Sequence, residues 1–422
     1  MHPSGVTAGA DRSAESAFAP PVRLRVLLVA PQPFFAQRGT PINVRQMVQT
    51  LCEAGYEVHL ATYPIGAPVS IPGLHLHRAM RIPGVRSMPI GFSWRKVALD
   101  VSLALRVWML IAGRRFDVVH AVEESVFFAM PAARLRGIPV IYDMDSSLSE
   151  QLEYGGHVRN AALLRLLRGM ERAVLRRARL AITVCASLTD SVRAMVPGAM
   201  VAQIEDSPLD EALRAPDRAR VQELRESCGL QSRRVIMYTG NFEGYQGIDL
   251  LVGAFARVAN ARVDAVLVLV GGTPAQMDSV RARAIALGVG DRVLLPGPRP
   301  PEEMPEWMAL GDVLVSPRLH GVNTPLKLYS YMWSTVPIVA TNLPTHTQVL
   351  DATTAVLRAP TADALASGII EVLADPARFA PLGTAARARV ASDYSRDAFR
   401  RKLLAAYASV ASGIRSSVPT SM

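Results

Sequence analysis

The chain has 422 residues, half of them hydrophobic and 19% charged, which excludes a disordered polyelectrolyte and leaves room for two or three domains at roughly 100–200 residues each. Lysine and arginine number 46 against 36 acidic residues, a net charge of +10; only Lys96, Lys327 and Lys402 are lysines. That excess favours acidic partners (phosphorylated ligands, anionic lipid, nucleic acid) without choosing among them.

Residues 1–22 are polar and lack an apolar run, so they read as a disordered tail rather than a secretory signal. RLRVLLVAP (23–31) is continuous and apolar, as a buried parallel strand must be. The loop QPFFAQRGTP follows, then a helix over 43–55 with Val44, Met47, Val48 and Leu51 on one face and Gly55 as its stop. YEVHLATY (56–63) is the next strand, completing a βαβ unit. The longest apolar run, 97–113, is broken by Asp100 and Arg106 and falls short of the ~20 apolar residues a bilayer span needs. A cytoplasmic location is therefore expected. Strands follow at 117–122, 138–144 and 180–186. Between the last two, the helical pattern at 160–180 sets Leu163, Leu166, Leu167, Met170 and Val174 on a predicted core stripe. Arg165, Arg168, Arg172, Arg176 and Arg179 fall in a separate arc, either a solvated face or a dock for an anionic membrane. No motif supports nucleic acid.

The pattern then restarts, with strands predicted at 234–240, 265–272, 291–297, 312–317 and 336–342 and a helix at 248–259. The polar stretch 204–217 marks the boundary. The expected organisation is a tail (1–22), a first Rossmann-like domain (23–206), a second (207–390), and a C-terminal helix and tail (391–422).

In open α/β sheets the ligand-binding residues follow the strands. In the first half these are Gly39 and Thr40, suited to phosphate or sugar oxygens, then His120, Glu123 and Glu124, and Asp143 and Asp145. In the second half they lie in TGNFEGYQG (239–247), with Asn241 and Gln246; in the Gly271-Gly272 pair; and in SPRLHGVNTPLKLYSYM, with Arg318, Asn323, Thr324, Lys327 and Ser330. Thr324 is a predicted N-cap and Pro325 the first helical position, which puts Lys327 in a first turn where the helix dipole opposes a cation. The pattern implies an anion there, and a diphosphate meets the backbone N–H groups, Lys327 and Arg318. No His/Cys cluster has metal-ligand spacing, and Cys52, Cys185 and Cys228 read as buried hydrophobes.

SPRLHGVNTPLKLYSYMWSTVPIVATN, with TGNFEGYQGIDLLVGAF and FDVVHAVEES, resembles the retaining glycosyltransferases of family 4 over nearly the whole chain. The resemblance implies the GT-B fold: two Rossmann-like doubly wound parallel-sheet domains facing across a cleft, with the final helix crossing back to the first domain. It implies a nucleoside diphosphate sugar held mainly by the second domain, a glycan or lipid-linked acceptor held mainly by the first, and no obligatory metal or other cofactor. A peripheral place at the inner membrane face is expected from the arginine arc and from the family. The sequence departs from the family pattern. The carboxylates of the usual E-x7-E pair are Val322 and Ser330, and the usual phosphate-binding Arg and Lys are Asn241 and Gln246. Of an H-x-H-E segment, only His120 and Glu123 remain at the ends. Arg318 and Lys327 then stand in for the missing cations as the expected catalytic pair. A non-catalytic nucleotide-sugar or glycan binder and a nucleotide-sugar epimerase stay open; a nicotinamide dehydrogenase is disfavoured because no G-x-G-x-x-G opens the first βα turn.

Overall fold

The computed structural model describes residues 23–35, 39–85, 93–147, 161–208 and 213–416. The first strands are β1 (Arg25–Ala30), β2 (Glu57–Thr62), β3 (Leu74–Arg78), β4 (Val118–Val122), β5 (Val140–Met144), β6 (Leu180–Thr183) and β7 (Val201–Gln203). Helices α1 (Gly39–Glu53), α2 (Trp94–Gly113), α3 (Val126–Leu135), α4 (Ala161–Leu175) and α5 (Ala186–Met195) lie between them. These strands form one sheet in the order β3-β2-β1-β4-β5-β6-β7. Around β1 the pairing is parallel, with Val26 opposite both Val58 and Val118.

The pattern then repeats through α6 (Arg218–Ser227), β8 (Arg234–Thr239), α7 (Ile248–Ala261), β9 (Ala265–Val270), α8 (Pro274–Ala286), β10 (Val293–Gly297), α9 (Met304–Leu310) and β11 (Val313–Ser316). It closes with α10 (Lys327–Ser334), β12 (Ile338–Thr341), α11 (Pro344–Thr347), β13 (Val356–Arg358), α12 (Ala362–Ala374), α13 (Pro376–Asp393) and α14 (Arg396–Ser416). The second sheet runs β10-β9-β8-β11-β12-β13. Its strands are apolar on both faces because both are covered. Ile236, Tyr238, Leu267 and Leu269 pack with Leu251, Phe255 and Leu365 on one side. Val235, Met237, Val266 and Val268 pack with Trp307, Leu328 and Met332 on the other. Alternation along the strand makes that division, and it is the arrangement of a doubly wound sheet.

The described chain divides into two compact units. One takes residues up to Asp143, Gly169–Ala181 and the segment from Leu403; the other takes Met144–Arg168 and Ile182–Lys402. The last helix thus gives its later turns to the first unit. No described helix is long and apolar enough to cross a membrane.

Three expectations are corrected. Helix α1 begins at Gly39, ahead of the expected start at Asn43. The core stripe assigned to 160–180 is largely on the surface: Leu163, Leu166 and Met170 are exposed, and α4 buries only Glu171, Val174 and Leu175. Among the described residues, full burial reaches this helix only toward its C-terminal end, and Leu164 and Leu167 ahead of it are half-buried. Strands β3, β7 and β13 join those expected. The tail at 1–22 and the Gln37-Arg38 pair lie outside the described residues.

Candidate functional site

The order of the second sheet reverses beside β8, the place where connections to opposite faces diverge and leave room at the strand ends. Every residue of the site built there belongs to the second unit.

Lys327 opens α10. Its ammonium lies 3.7 Å from the centroid of the Tyr238 ring and donates a 3.0 Å hydrogen bond to Gln246 Oε1. The expected cap is not formed. Leu326 precedes the helix in helical conformation, no side chain caps it, and Leu328 N–H bonds the Pro325 carbonyl at 2.9 Å. The tight first turn replaces the cap, and Thr324 is left buried upstream of it.

Arg318 is only 7% exposed. It donates from Nε to the His320 carbonyl at 2.8 Å, from Nη1 to the Asn323 carbonyl at 3.2 Å and from Nη2 to Asn323 Oδ1 at 3.1 Å. Its guanidinium also lies over Tyr245, 5.1 Å from the ring centroid. Three of the five guanidinium N–H groups are thereby committed to the loop, leaving two. Gly321 makes this closeness feasible: a Cβ there would stand 2.5 Å from Nη2, and its φ of +119° suits only glycine.

Neither cation has a carboxylate partner among the described residues; their partners are the neutral groups just named. Burial first, and then the charge of Arg318, holds the Lys327 ammonium well below the ordinary lysine range. Burial also lowers Arg318. The environment therefore disfavours both positive charges as it stands.

The floor beside the ammonium is backbone. A Cβ on Gly271 would lie 1.9 Å from the Gly240 carbonyl oxygen, and a Cβ on Gly240 would lie 3.3 Å from Lys327 Nζ. Gly272 follows, packed on Phe242. Asn241 is exposed and accepts the Glu243 N–H at 3.3 Å. Ser330 is half-buried on α10, and one helical turn separates it from Lys327.

A set of groups that sequence patterns did not single out holds the Arg318 loop. His346 is fully buried, with Nδ1 2.7 Å from the Thr341 carbonyl and Nε2 2.8 Å from Ser316 Oγ. A carbonyl only accepts, so Nδ1 carries the proton and Nε2 accepts from Ser316. Burial pushes its pKa down to about 4 and keeps it neutral. Thr341 Oγ1 donates to the Arg318 carbonyl at 2.6 Å, and Thr345 Oγ1 to the Asn323 carbonyl at 2.7 Å. Tyr331 OH accepts the Thr239 N–H at 2.7 Å and ties α10 to the end of β8.

In the first unit, Gly39 and Thr40 form the first turn of α1. His120 is fully buried on β4, with Nδ1 2.7 Å from the Tyr407 hydroxyl and Nε2 3.2 Å from the Asp143 carboxylate. Glu123 leaves β4 with a φ of +50°, and Glu124 pairs with Lys96. Asp145 is buried just past β5, in the chain of the second unit.

One group of described residues is able to hold a metal ion: ligand atoms of Glu57, His59 and His75 lie within 4.8 Å of one another. Sequence spacing missed it because register, not proximity in the chain, joins His59 to His75 across β2 and β3. His59 is already engaged without metal, through Nδ1 to His77 Nε2 at 2.9 Å and Nε2 to Glu57 at 3.0 Å.

Residues 38–204 match the family described as Glycosyl transferase 4-like domain, and residues 233–375 match Glycosyl transferases group 1. A GDP-mannose-dependent alpha-(1-6)-phosphatidylinositol monomannoside mannosyltransferase of Mycolicibacterium smegmatis is 30% identical over 181 residues, 41% of this chain and 47% of that one. A 2-deoxystreptamine N-acetyl-D-glucosaminyltransferase of Streptomyces fradiae is 29% identical over 314 residues, covering 69% and 71%. The match spans 47% and 50% of the length of the mannosyltransferase and of an alpha-D-kanosaminyltransferase from Streptomyces kanamyceticus. In fold, the chain is similar to a sucrose-phosphate synthase from Thermosynechococcus elongatus, with a TM-score of 0.75, 20% identity and coverage of 93% and 100%. It is also similar to Anabaena HepE in complex with UDP and glucose, with a TM-score of 0.70, 16% identity and coverage of 92% and 100%. With both halves matched and two parallel-sheet α/β domains of the GT-B fold, the chain belongs to the group 1, family 4 glycosyl transferases.

Proposed function

We propose that the chain moves a sugar from a nucleoside diphosphate sugar to a hydroxyl of a glycan or lipid-linked acceptor, with retention at the anomeric carbon. One observation carries this reading. Buried Arg318 and half-buried Lys327 lie close enough for the charge of Arg318 to depress Lys327, and neither has a carboxylate partner among the described residues. A diphosphate supplies the charge they lack.

In the proposed step the anomeric carbon–phosphate oxygen bond breaks as the acceptor oxygen bonds the same carbon from the same face. The acceptor proton passes to the leaving phosphate oxygen. No protein base is required, which is compatible with Val322 and Ser330 at the places of the family's two carboxylates. Lys327 and Arg318 act by stabilising the charge that develops on the leaving diphosphate. The relatives named for GDP-mannose and for UDP support a nucleoside diphosphate donor and leave the base to experiment. The phosphatidylinositol monomannoside for which that mannosyltransferase is named supports a lipid-linked or envelope glycan.

The test is release of UDP or GDP from a panel of nucleotide sugars, with and without glycolipid acceptors. The parent protein should release one of them, faster with acceptor, while Lys327→Met and Arg318→Lys should lose most of that rate. A parent that neither binds nor turns over any donor refutes the proposal. Conversion of donor without nucleotide release identifies an epimerase instead.

A further inference from the structure

We infer that the outward face of α2 is a lipid-docking surface, on which the helix lies flat in the headgroup layer of an anionic bilayer with its apolar face inserted. This goes beyond the donor-site reading and depends on no part of it.

Helix α2 is apolar on two sides. Leu99, Leu103, Val107, Leu110 and Ile111 face the core of the first unit. The opposite side carries Trp94, Val97, Val101, Leu105, Trp108 and Met109, and all six are exposed, Trp94 by 70% and Val101 by 57%. Their spacing of three and four residues makes one continuous ridge along the helix, about 22 Å long at roughly 1.5 Å per residue. The ridge carries no charged side chain. A solvated helix face of this kind is otherwise polar. Exposed Met80 lies beside α2, where its carbonyl accepts the hydroxyl of buried Ser102 at 3.0 Å.

Charge selects the occupant. Exposed Arg95 stands at one end of the helix, and exposed Arg114 and Arg115 follow the other. Exposed Arg81 follows Met80. The one carboxylate of the helix, Asp100, is turned to Tyr63 and Lys96 on the inner side. A two-fold partner copy would set cations against cations whichever way the two helices ran, because both ends are basic. A sheet of anionic headgroups meets both ends at once, with tryptophans at the level where indoles settle. The helix does not span, because its inner face is part of the protein core.

The experiment is co-sedimentation of the full chain with vesicles of equal parts phosphatidylglycerol and phosphatidylcholine, and with phosphatidylcholine alone. The parent should pellet with the anionic vesicles and much less with the neutral ones. Val101→Gln with Leu105→Gln alters two exposed positions, so the fold should hold by circular dichroism. The partition coefficient should fall by about tenfold or more, since two side chains no longer leave water for lipid. Trp94 fluorescence should be quenched by brominated lipid in the parent. A parent that stays in the supernatant, or a double variant that pellets as well as the parent, overturns the inference. So does a parent dimer in sedimentation velocity that the double variant converts to monomer. Donor binding should be equal in parent and double variant, so failure here leaves the donor site untouched.

Discussion

Replacing Lys327 by methionine separates an anion site from an ordinary structural lysine. The substitution keeps the stem and deletes the charge. In the unliganded protein it removes the hydrogen bond to Gln246 and the contact over Tyr238, worth about 1.5–3 and 0.5–2 kcal/mol. It also removes a cation that burial and Arg318 both disfavour. These contributions oppose one another, so the melting temperature of the unliganded variant should stay close to the parent's. With a diphosphate bound, the balance reverses. The lost charge-assisted contact then costs about 1.5–3 kcal/mol, roughly tenfold to a hundredfold in Kd. Titration calorimetry with UDP and with GDP, in two buffers of different ionisation heat, reads both consequences. The anion raises the lysine's depressed pKa, so the parent should take up a fraction of a proton on binding, more as pH rises toward that pKa; the methionine variant should take up none there. Equal Kd and equal proton uptake in the two proteins would refute the reasoning.

Gly271→Ala places a Cβ 1.9 Å from the Gly240 carbonyl at a φ of +131°. It should cost about 2 kcal/mol or more, a fall in melting temperature on the order of 5 °C by calorimetry, and it should weaken donor binding through Gly240. His346, with a pKa of about 4 in the fold against 6.5 unfolded, makes stability acid-sensitive. Below pH 6.5 the unfolded chain binds a proton that the fold excludes. Stability present above that pH should therefore fall by about 3 kcal/mol as pH drops toward 4, and urea unfolding at pH 7 and pH 4.5 checks it. His77, also at about 4, acts in the same direction. Changing the exposed Arg168, Arg172 and Arg176 to Gln should weaken sedimentation with anionic vesicles at low salt and leave neutral ones unaffected; equal binding at low salt removes the arginine arc from membrane attachment.

Much of the fold is written in the sequence because buried parallel strands are runs of apolar residues with little else in them. RVLLVA, RVIMYT and AVLVLV declare themselves. The three strands that did not, LHLHR, VAQ and VLR, each end a sheet, where one neighbour is missing and the residues are few and partly wet. The site was legible where chemistry and position coincide in one segment, as with Arg318 and Lys327. It was not legible where partners meet only in space. Nothing in the chain joins His346 to Ser316, Tyr331 to Thr239, or Tyr238 to Lys327. Exposure was the hardest quantity to read: periodicity assigns the apolar stripe of α4 inward and does not show that α2 is apolar on a second, outward side, and only the structure shows that nothing described covers either face.

The contact between His120 and Tyr407 bears on how the molecule comes into being on the ribosome. Tyr407 bonds the His120 ring and packs edge-on against Tyr56, yet it is made 287 residues after His120. Domains ordinarily fold as they are delivered, the N-terminal one first. Here the second unit has every one of its residues once Lys402 is out, while the first still lacks the helix turns that fill its interior. A nascent chain therefore waits with His120 and Asp143 lacking the Tyr407 hydroxyl, and the half that is synthesised first is the half that is finished last.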